Sequence, residues 1–152
     1  MFKRILIPVD GSDTSTKALV AALQMARETG ASVRLVYFVN EMVYLGGMDP
    51  YGGYPADLAG MVREGGAKVL ADAMAVAQSA GVEVSQVMLD EPGSRLGEAV
   101  ATAASHWGAD LVVVGSHGRR GLGRVLLGSG AEQILRLAPV PVLVVRSVHP
   151  EN

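Results

Sequence analysis

The feature that most constrains this chain is an unbroken apolar run, Leu111-Val112-Val113-Val114, that empties without a spacer into Gly115-Ser116-His117-Gly118. A strand with no polar alternation has no face to give to water, so both of its faces must be covered. Helices on either side of a parallel sheet supply that cover. Ile5 to Val9 is a second β-branched run of this kind, and Ser32 to Val39 and Val142 to Arg146 also read as strands. Val82 to Leu89 alternates instead, which suits an edge strand.

Helical periodicity fills the gaps between these runs. Ser12 or Asp13 caps a helix with Leu19, Ala22, Met25 and Ala26 on one face, and Gly30 ends it. Asp57 to Ala80 is a long helix, with Leu70, Ala73, Ala77 and Ala80 on one stripe. The pair Gly65-Gly66 weakens its first part, at about 1 kcal/mol per glycine relative to alanine. Ser94 starts a helix whose Leu96, Val100, Ala103 and Trp107 share a face. The last helix runs from Ser129 to Leu137. Residues 40 to 56 read as loop, with four glycines, two prolines and three tyrosines. The Met-, Tyr- and Gly-rich segment 41–62 reads equally as a lid, a partner surface or an insertion. Five strands alternating with four helices imply an α/β fold, a three-layer doubly wound open sheet of parallel strands. The expectation is one domain over 1–152.

Composition narrows the chemistry. Apolar residues make up 49% and charged ones 18%, which suits a folded core rather than disorder. A net charge of −2 gives no basic field for nucleic acid. The absence of cysteine excludes thiol catalysis, zinc–thiolate sites and disulfides. Three scattered histidines make no metal site, and His106 suits a helix end. No apolar run approaches the roughly 20 residues that span a bilayer, and no leader-like N-terminus is present, so a cytoplasmic location is expected.

A strand that runs into a glycine-rich loop and then a helix start is a device for holding phosphate. Glycines let backbone amides approach an anion, and the helix N-terminus adds unpaired N–H groups and partial positive charge. Ser129 supplies a hydroxyl there, as helix cap, phosphate donor or both. Arg119, Arg120 and Arg124 add three cations, either phosphate clamps or solvated loop charges, and Arg95 is a weaker candidate. Two familiar loops do not match. A Walker loop needs a lysine before its Ser/Thr, whereas Leu127-Gly128-Ser129 has none. A dinucleotide loop needs a third glycine, whereas Gly121-Leu122-Gly123 continues Arg124-Val125-Leu126.

The spacing present, Gly-x2-Gly-x9-Gly-Ser from Gly115 to Ser129, resembles the nucleotide-binding signature of the universal stress protein family. The opening Lys3-Arg4-Ile5-Leu6-Ile7-Pro8-Val9-Asp10-Gly11-Ser12 is similar to that family's first strand and loop. Pro139-Val140-Pro141-Val142-Leu143-Val144-Val145 is similar to its last strand. The resemblance covers essentially the whole chain and points to the family's ATP-binding branch. It implies the strand order 3-2-1-4-5, which puts the reversal of winding between the first and fourth strands. Open α/β sheets bind ligands at such a point, where Pro8-Val9-Asp10 and Gly115-Ser116 would meet.

The cofactor contacts that this implies are Pro8, Val9, Asp10, Phe38, Val39, Gly115, Ser116, His117, Gly118, Arg119, Gly128, Ser129 and Gly130. Asp10 could accept from ribose hydroxyls or join a metal held by phosphate, or it could simply form the turn before Gly11. Phe38 would lie against adenine, unless strand alternation turns it into the core. Gly130 stands where the family usually carries a small branched residue, which implies a lost contact and a looser helix start. His117 lies in the loop, but nothing nearby orients it as a base, and no Gly-x-Ser-x-Gly elbow exists, so no catalytic residue is assigned. The resemblance implies ATP with Mg²⁺ or Mn²⁺, a sensing or signalling role in stress response, and at most slow hydrolysis. An adenylyl-transferring enzyme and an interaction module without nucleotide are the rival readings. Val142–Val145, at the sheet edge in this order, would pair with a second copy to form a homodimer.

Overall fold

The structure is a computed structural model, and it describes residues 1–40, 58–117 and 127–146. These form five strands: β1 (Arg4–Pro8), β2 (Ser32–Phe38), β3 (Val84–Leu89), β4 (Leu111–Gly115) and β5 (Val142–Val145). Four helices alternate with them: α1 (Asp13–Thr29), α2 (Leu58–Ser79), α3 (Leu96–Trp107) and α4 (Ser129–Leu137). All pairings are parallel, in the order β3-β2-β1-β4-β5. The α/β architecture and the strand order expected from the sequence are both present.

Side-chain alternation sorts the sheet into two faces. Ile5, Ile7, Val33, Leu35, Tyr37 and Val113 bury against α1 and α2, with Leu19, Ala22, Ala26, Leu70, Ala73 and Ala77. Leu6, Val36, Val112 and Val114 bury against Val100, Ala104, Ala131 and Ile134 of α3 and α4. The two helices before β3 therefore cover one face and the two after it cover the other. Right-handed crossovers require this once the winding reverses at β1. The central strands lose all alternation of exposure: Ile5, Leu6 and Ile7 are each fully buried. The stripes read from periodicity face the core, with Leu96, Ala103 and Trp107 half-buried on the second cluster.

Close packing departs from the sequence reading in three places. Helix α2 runs straight through Gly65-Gly66. Gly66 is buried there, and a Cβ on it would lie 2.6 Å from the Tyr37 ring. The glycine thus lets an aromatic ring seat directly on helix backbone, which offsets its intrinsic cost. Helix α3 starts at Leu96 rather than Ser94. Arg95 is its N-cap residue and makes no side-chain cap bond, since a guanidinium has no acceptor for the helix N–H groups, while the Ser94 hydroxyl lies 3.5 Å from the Arg95 carbonyl. Gly130 packs against α3: a Cβ there would meet Leu96 Cδ2 at 2.7 Å, and one on Gly97 would meet Gln133 Cβ at 2.7 Å. Gly97 thus lets the Gln133 backbone of α4 come close to α3, its carbonyl carbon and oxygen each 3.0 Å from the Cβ position.

The opposite end of the β1–β4 seam is closed by a carboxylate. Asp110 accepts from the backbone N–H of Lys3 at 2.8 Å and of Arg4 at 3.0 Å. Burial pushes its pKa up, but those amide donors outweigh burial and hold the carboxyl below its usual range. The sign follows by linkage: the stabilisation is present above the unfolded-state pKa and is lost as pH falls through the folded-state pKa. Asp110→Asn should therefore cost about 1 kcal/mol at pH 7, the low end for a charged hydrogen bond at a solvated site. The gap to wild type should narrow as pH drops, and urea unfolding at several pH values checks it. A pH-independent gap would mean that the charge contributes nothing.

Candidate functional site

The seam between β1 and β4 is where the sheet opens. β1 pairs with β2 from Arg4 to Pro8, but with β4 only at Ile5–Leu111 and Leu6–Val112. Beyond these, Ile7 and Pro8 on one side and Val113, Val114 and Gly115 on the other run past the ladder. The carboxyl ends of two central strands thus lie at the reversal of winding, the place where open α/β sheets bind ligands.

The start of α1 forms one wall. Asp10 accepts from Ser12 N–H at 2.8 Å, a turn closed by an aspartate side chain, and Gly11 takes the φ of 83° that this turn needs. Ser12 is the helix N-cap, accepting from Ser15 N–H at 3.3 Å, and Ser15 Oγ in turn accepts from Asp10 N–H at 3.2 Å. Asp10 therefore fills the turn role, and it remains half-buried at this strand end, where a ligand hydroxyl could also reach it.

This wall is fastened to the end of β4. Thr14, buried, donates its hydroxyl to the His117 carbonyl. Gly115 lies so close beneath the helix that a Cβ on it would stand 2.7 Å from the Thr14 carbonyl carbon and 3.0 Å from Ser15 N. Contact with backbone leaves room for no side chain at position 115. Neither Thr14 nor Ser15 was singled out from sequence. The signal available was the small-residue pattern Gly-Ser-Asp-Thr-Ser at a helix start.

The β4–α4 arm closes the other wall. Ser116 is almost fully buried, donating its N–H to the Val145 carbonyl at 2.9 Å and accepting from Gly128 N–H at 2.6 Å. The last bond sets Gly115–Ser116 and Gly128–Ser129 side by side although they are far apart in sequence. Gly128, not Ser129, is the α4 N-cap residue, with φ −71° and ψ 161° and no side-chain cap bond. Ser129 is the first helical residue and is exposed. Its hydroxyl is not committed to capping, because the Gly128 backbone occupies the cap position. His117 is half-buried, with its Nδ1 buried.

β2 lies on the far side of β1. Val39 is buried in the core and Phe38 is half-buried beside Leu89 of β3. Pro8 is half-buried and Val9 buried, its N–H bonded to the Val36 carbonyl at 2.9 Å. The structure thus brings Asp10, Gly115, Ser116, His117, Gly128 and Ser129 to one opening. Gly118, Arg119, Arg120, Arg124 and segment 41–57 lie outside the described residues. Arg95 and His106 are exposed, on α3 and just before it. Among the described residues, no three His, Asp or Glu side chains are grouped to hold a metal ion, and no helix is long and apolar enough to cross a membrane.

Comparison with known proteins covers the whole of this frame. The sequence profile of the universal stress protein family matches residues 1–146. A universal stress protein of Methanocaldococcus jannaschii is 36% identical over 151 residues, spanning 96% of this chain and 83% of the relative. A solved universal stress family protein from Burkholderia pseudomallei is 34% identical with a TM-score of 0.74, covering 95% of this chain and 96% of its own. Two more distant structures share the fold. An Archaeoglobus fulgidus universal stress protein in complex with dAMP has a TM-score of 0.69 at 23% identity, covering 94% of this chain and 97% of its own. A universal stress protein in complex with cAMP has a TM-score of 0.61 at 24% identity, covering 95% of this chain and 96% of its own.

Proposed function

This chain belongs to the universal stress protein family, and we propose that it binds an adenine nucleotide, ATP foremost, and acts as a nucleotide-dependent regulator in a cytoplasmic stress response. The observation that carries the reading is the end of the β1–β4 ladder at Leu6–Val112, flanked by the start of α1 and by the Gly128 N–H bonded to the Ser116 carbonyl. The α4 N-terminus at Ser129 favours the phosphates. Asp10 is the contact for ribose, and Phe38 and Val39 lie toward the base. The cAMP and dAMP complexes of distant relatives support the ligand class. A divalent ion, Mg²⁺ or Mn²⁺, would enter on the phosphates with Asp10 as its protein contact, since the described residues offer no metal cluster. The role is binding rather than turnover: the chain has no Walker lysine, and no base is positioned among the described residues.

Calorimetry with ATP, AMP and cAMP tests this reading. Micromolar binding is expected for the wild type. Asp10→Ala should weaken it by about 1–3 kcal/mol, the scale of a charged hydrogen bond. Asp13→Ala, on the exposed side of the same helix start, should leave affinity nearly unchanged. Equal losses in the two variants would mean that the α1 start matters only for folding. Mass spectrometry of ligand carried through native purification separates nucleotide binding from a ligand-free interaction module.

The proposed assembly is a homodimer through β5. Among the described residues this strand pairs only with β4, and Leu143 is exposed. Two copies related by a twofold axis would pair these edges antiparallel. Pro139 and Pro141 keep the ladder short. Val144→Pro should remove a donor from its middle and shift the protein to monomer in sedimentation at tens of micromolar. A monomeric wild type, or a fully dimeric variant, would exclude this interface.

A further inference from the structure

We propose that Arg34, Arg4 and Trp107 form a docking site for an acidic, extended segment of a partner protein, at the end of the sheet opposite the proposed nucleotide site. The three side chains meet near the amino ends of β1 and β2. The Arg34 guanidinium carbon lies 4.9 Å from the centre of the Trp107 ring, and that of Arg4 lies 5.9 Å from it. Cation–π attraction to one ring holds both cations in place. Each also makes one anchoring bond. Arg34 Nε donates to Ser85 Oγ at 2.9 Å. Arg4 Nη1 donates to the Trp107 carbonyl at 2.7 Å, where the α3 C-terminus favours a cation.

These anchors leave the other N–H donors of each guanidinium available. Among the described residues neither side chain is ion-paired. The acids nearby are committed elsewhere: Glu83 accepts from Ser32 Oγ at 2.9 Å, and Asp110 accepts from the main-chain N–H groups of Lys3 and Arg4. Two like charges gathered on one ring, with no carboxylate beside them, are complementary to an oxyanion. A carboxylate fits best, because it can accept two parallel bonds from one guanidinium.

The surface beside this cluster is open sheet. Ser85, Val87 and Leu89 of β3 face the same side as Arg34 and Val36, since Val84 and Met88 pack on the α1–α2 side. On that same side Leu6 and Val112 are fully buried against α3 and α4, whereas Val87 is 36% exposed. The helical cover therefore ends between β2 and β3. Among the described residues β3 pairs only with β2, so its outer edge offers main-chain donors and acceptors to an added strand. Alternate side chains of such a strand would lie on this face. An acid opposite Ser85, the register partner of Arg34, reaches the guanidinium, and apolar residues follow beside Val87 and Leu89. Arginine and tryptophan are also the anchors enriched at the centres of protein interfaces.

Trp107 is the only tryptophan in the chain, so its fluorescence reads this site directly. The probes are two end-blocked peptides in which Glu, Val and Leu alternate with Thr, one in each chain direction, and the same peptides with Gln for Glu. A saturable change in Trp107 emission is expected below about 1 mM for one Glu peptide, weakening as salt rises. Its Gln counterpart should bind at least about tenfold more weakly, and so should the Glu peptide to Arg34→Gln. No saturable change with either Glu peptide overturns the proposal. Equal binding of Glu and Gln peptides also overturns it, as does equal binding to wild type and Arg34→Gln. If Arg34→Gln fails to fold, the Glu–Gln comparison on wild type still decides. A change with vesicles of phosphatidylcholine and phosphatidylserine, but with neither peptide, would make this a membrane contact and sink the proposal. None of these measurements involves ATP, so a failure here leaves the nucleotide reading standing.

Discussion

Gly115→Val should destabilise the protein by about 3 kcal/mol or more, the upper end for overpacked sites. Most overpacked positions relax by turning a neighbouring side chain. Here the atoms in the way are the Thr14 carbonyl carbon at 2.7 Å, its oxygen at 2.8 Å and Ser15 N at 3.0 Å, all main chain of α1. Relief requires the helix to lift off the end of β4, which stretches the Thr14–His117 bond and opens the α1 side of the proposed site. The variant should lose nucleotide affinity in proportion, because one displacement causes both effects. Denaturant midpoints measure the first and calorimetry the second. A variant within about 0.5 kcal/mol of wild type would mean that the α1–β4 contact is looser than described, since changes that small are typical of unconstrained surface sites.

Gly128→Val should do the opposite, removing binding while sparing the fold. Its φ of −71° and ψ of 161° are open to any residue, so no strain follows from the backbone. Stability should stay within about 0.5 kcal/mol. The cost falls on the ligand. A branched Cβ beside the first amides of α4 occupies the space in which a phosphate must sit to meet them, and affinity should drop at least about 100-fold, near 2.7 kcal/mol. Unchanged affinity with an intact fold would move the phosphate away from this helix start. On these expectations Gly115 belongs to the scaffold and Gly128 to the proposed site, within one motif.

That distinction was not legible in the sequence, where Gly115 and Gly128 look alike. Periodicity exposed the strands and helices because burial on two faces removes polar residues at every position, and on one face at every third or fourth. The strand order came from resemblance, and the alternating pattern of β3 agreed with its place at the edge. What escaped were contacts between elements. Gly66 looks like a flaw in a helix until the Tyr37 ring is seen against it. Gly130 looks like an open position until Leu96 Cδ2 is seen 2.7 Å from where its Cβ would stand. Ser94 and Ser129 both look like caps, but the chain turns one residue later at Arg95 and one earlier at Gly128. Propensity locates a helix end to within a residue or two, and tertiary packing selects the position. The fastening of Thr14 to His117 spans 103 residues, a separation that no local pattern encodes.

The central place of β1 also sets an order of events during synthesis. Its two neighbours are made at very different times: β2 begins at Ser32, but β4 begins only at Leu111. The amides of Lys3 and Arg4 wait for a carboxylate that lies 107 and 106 positions later. At roughly 5–20 residues per second, that is a wait of about 5–20 s. Throughout it, a strand with the apolar centre Ile5-Leu6-Ile7 has one edge without its partner, a template for pairing with other nascent chains. Polypeptides released before Leu111 should therefore be trapped as aggregates, whereas those ending just after β4 already hold the three middle strands of the sheet.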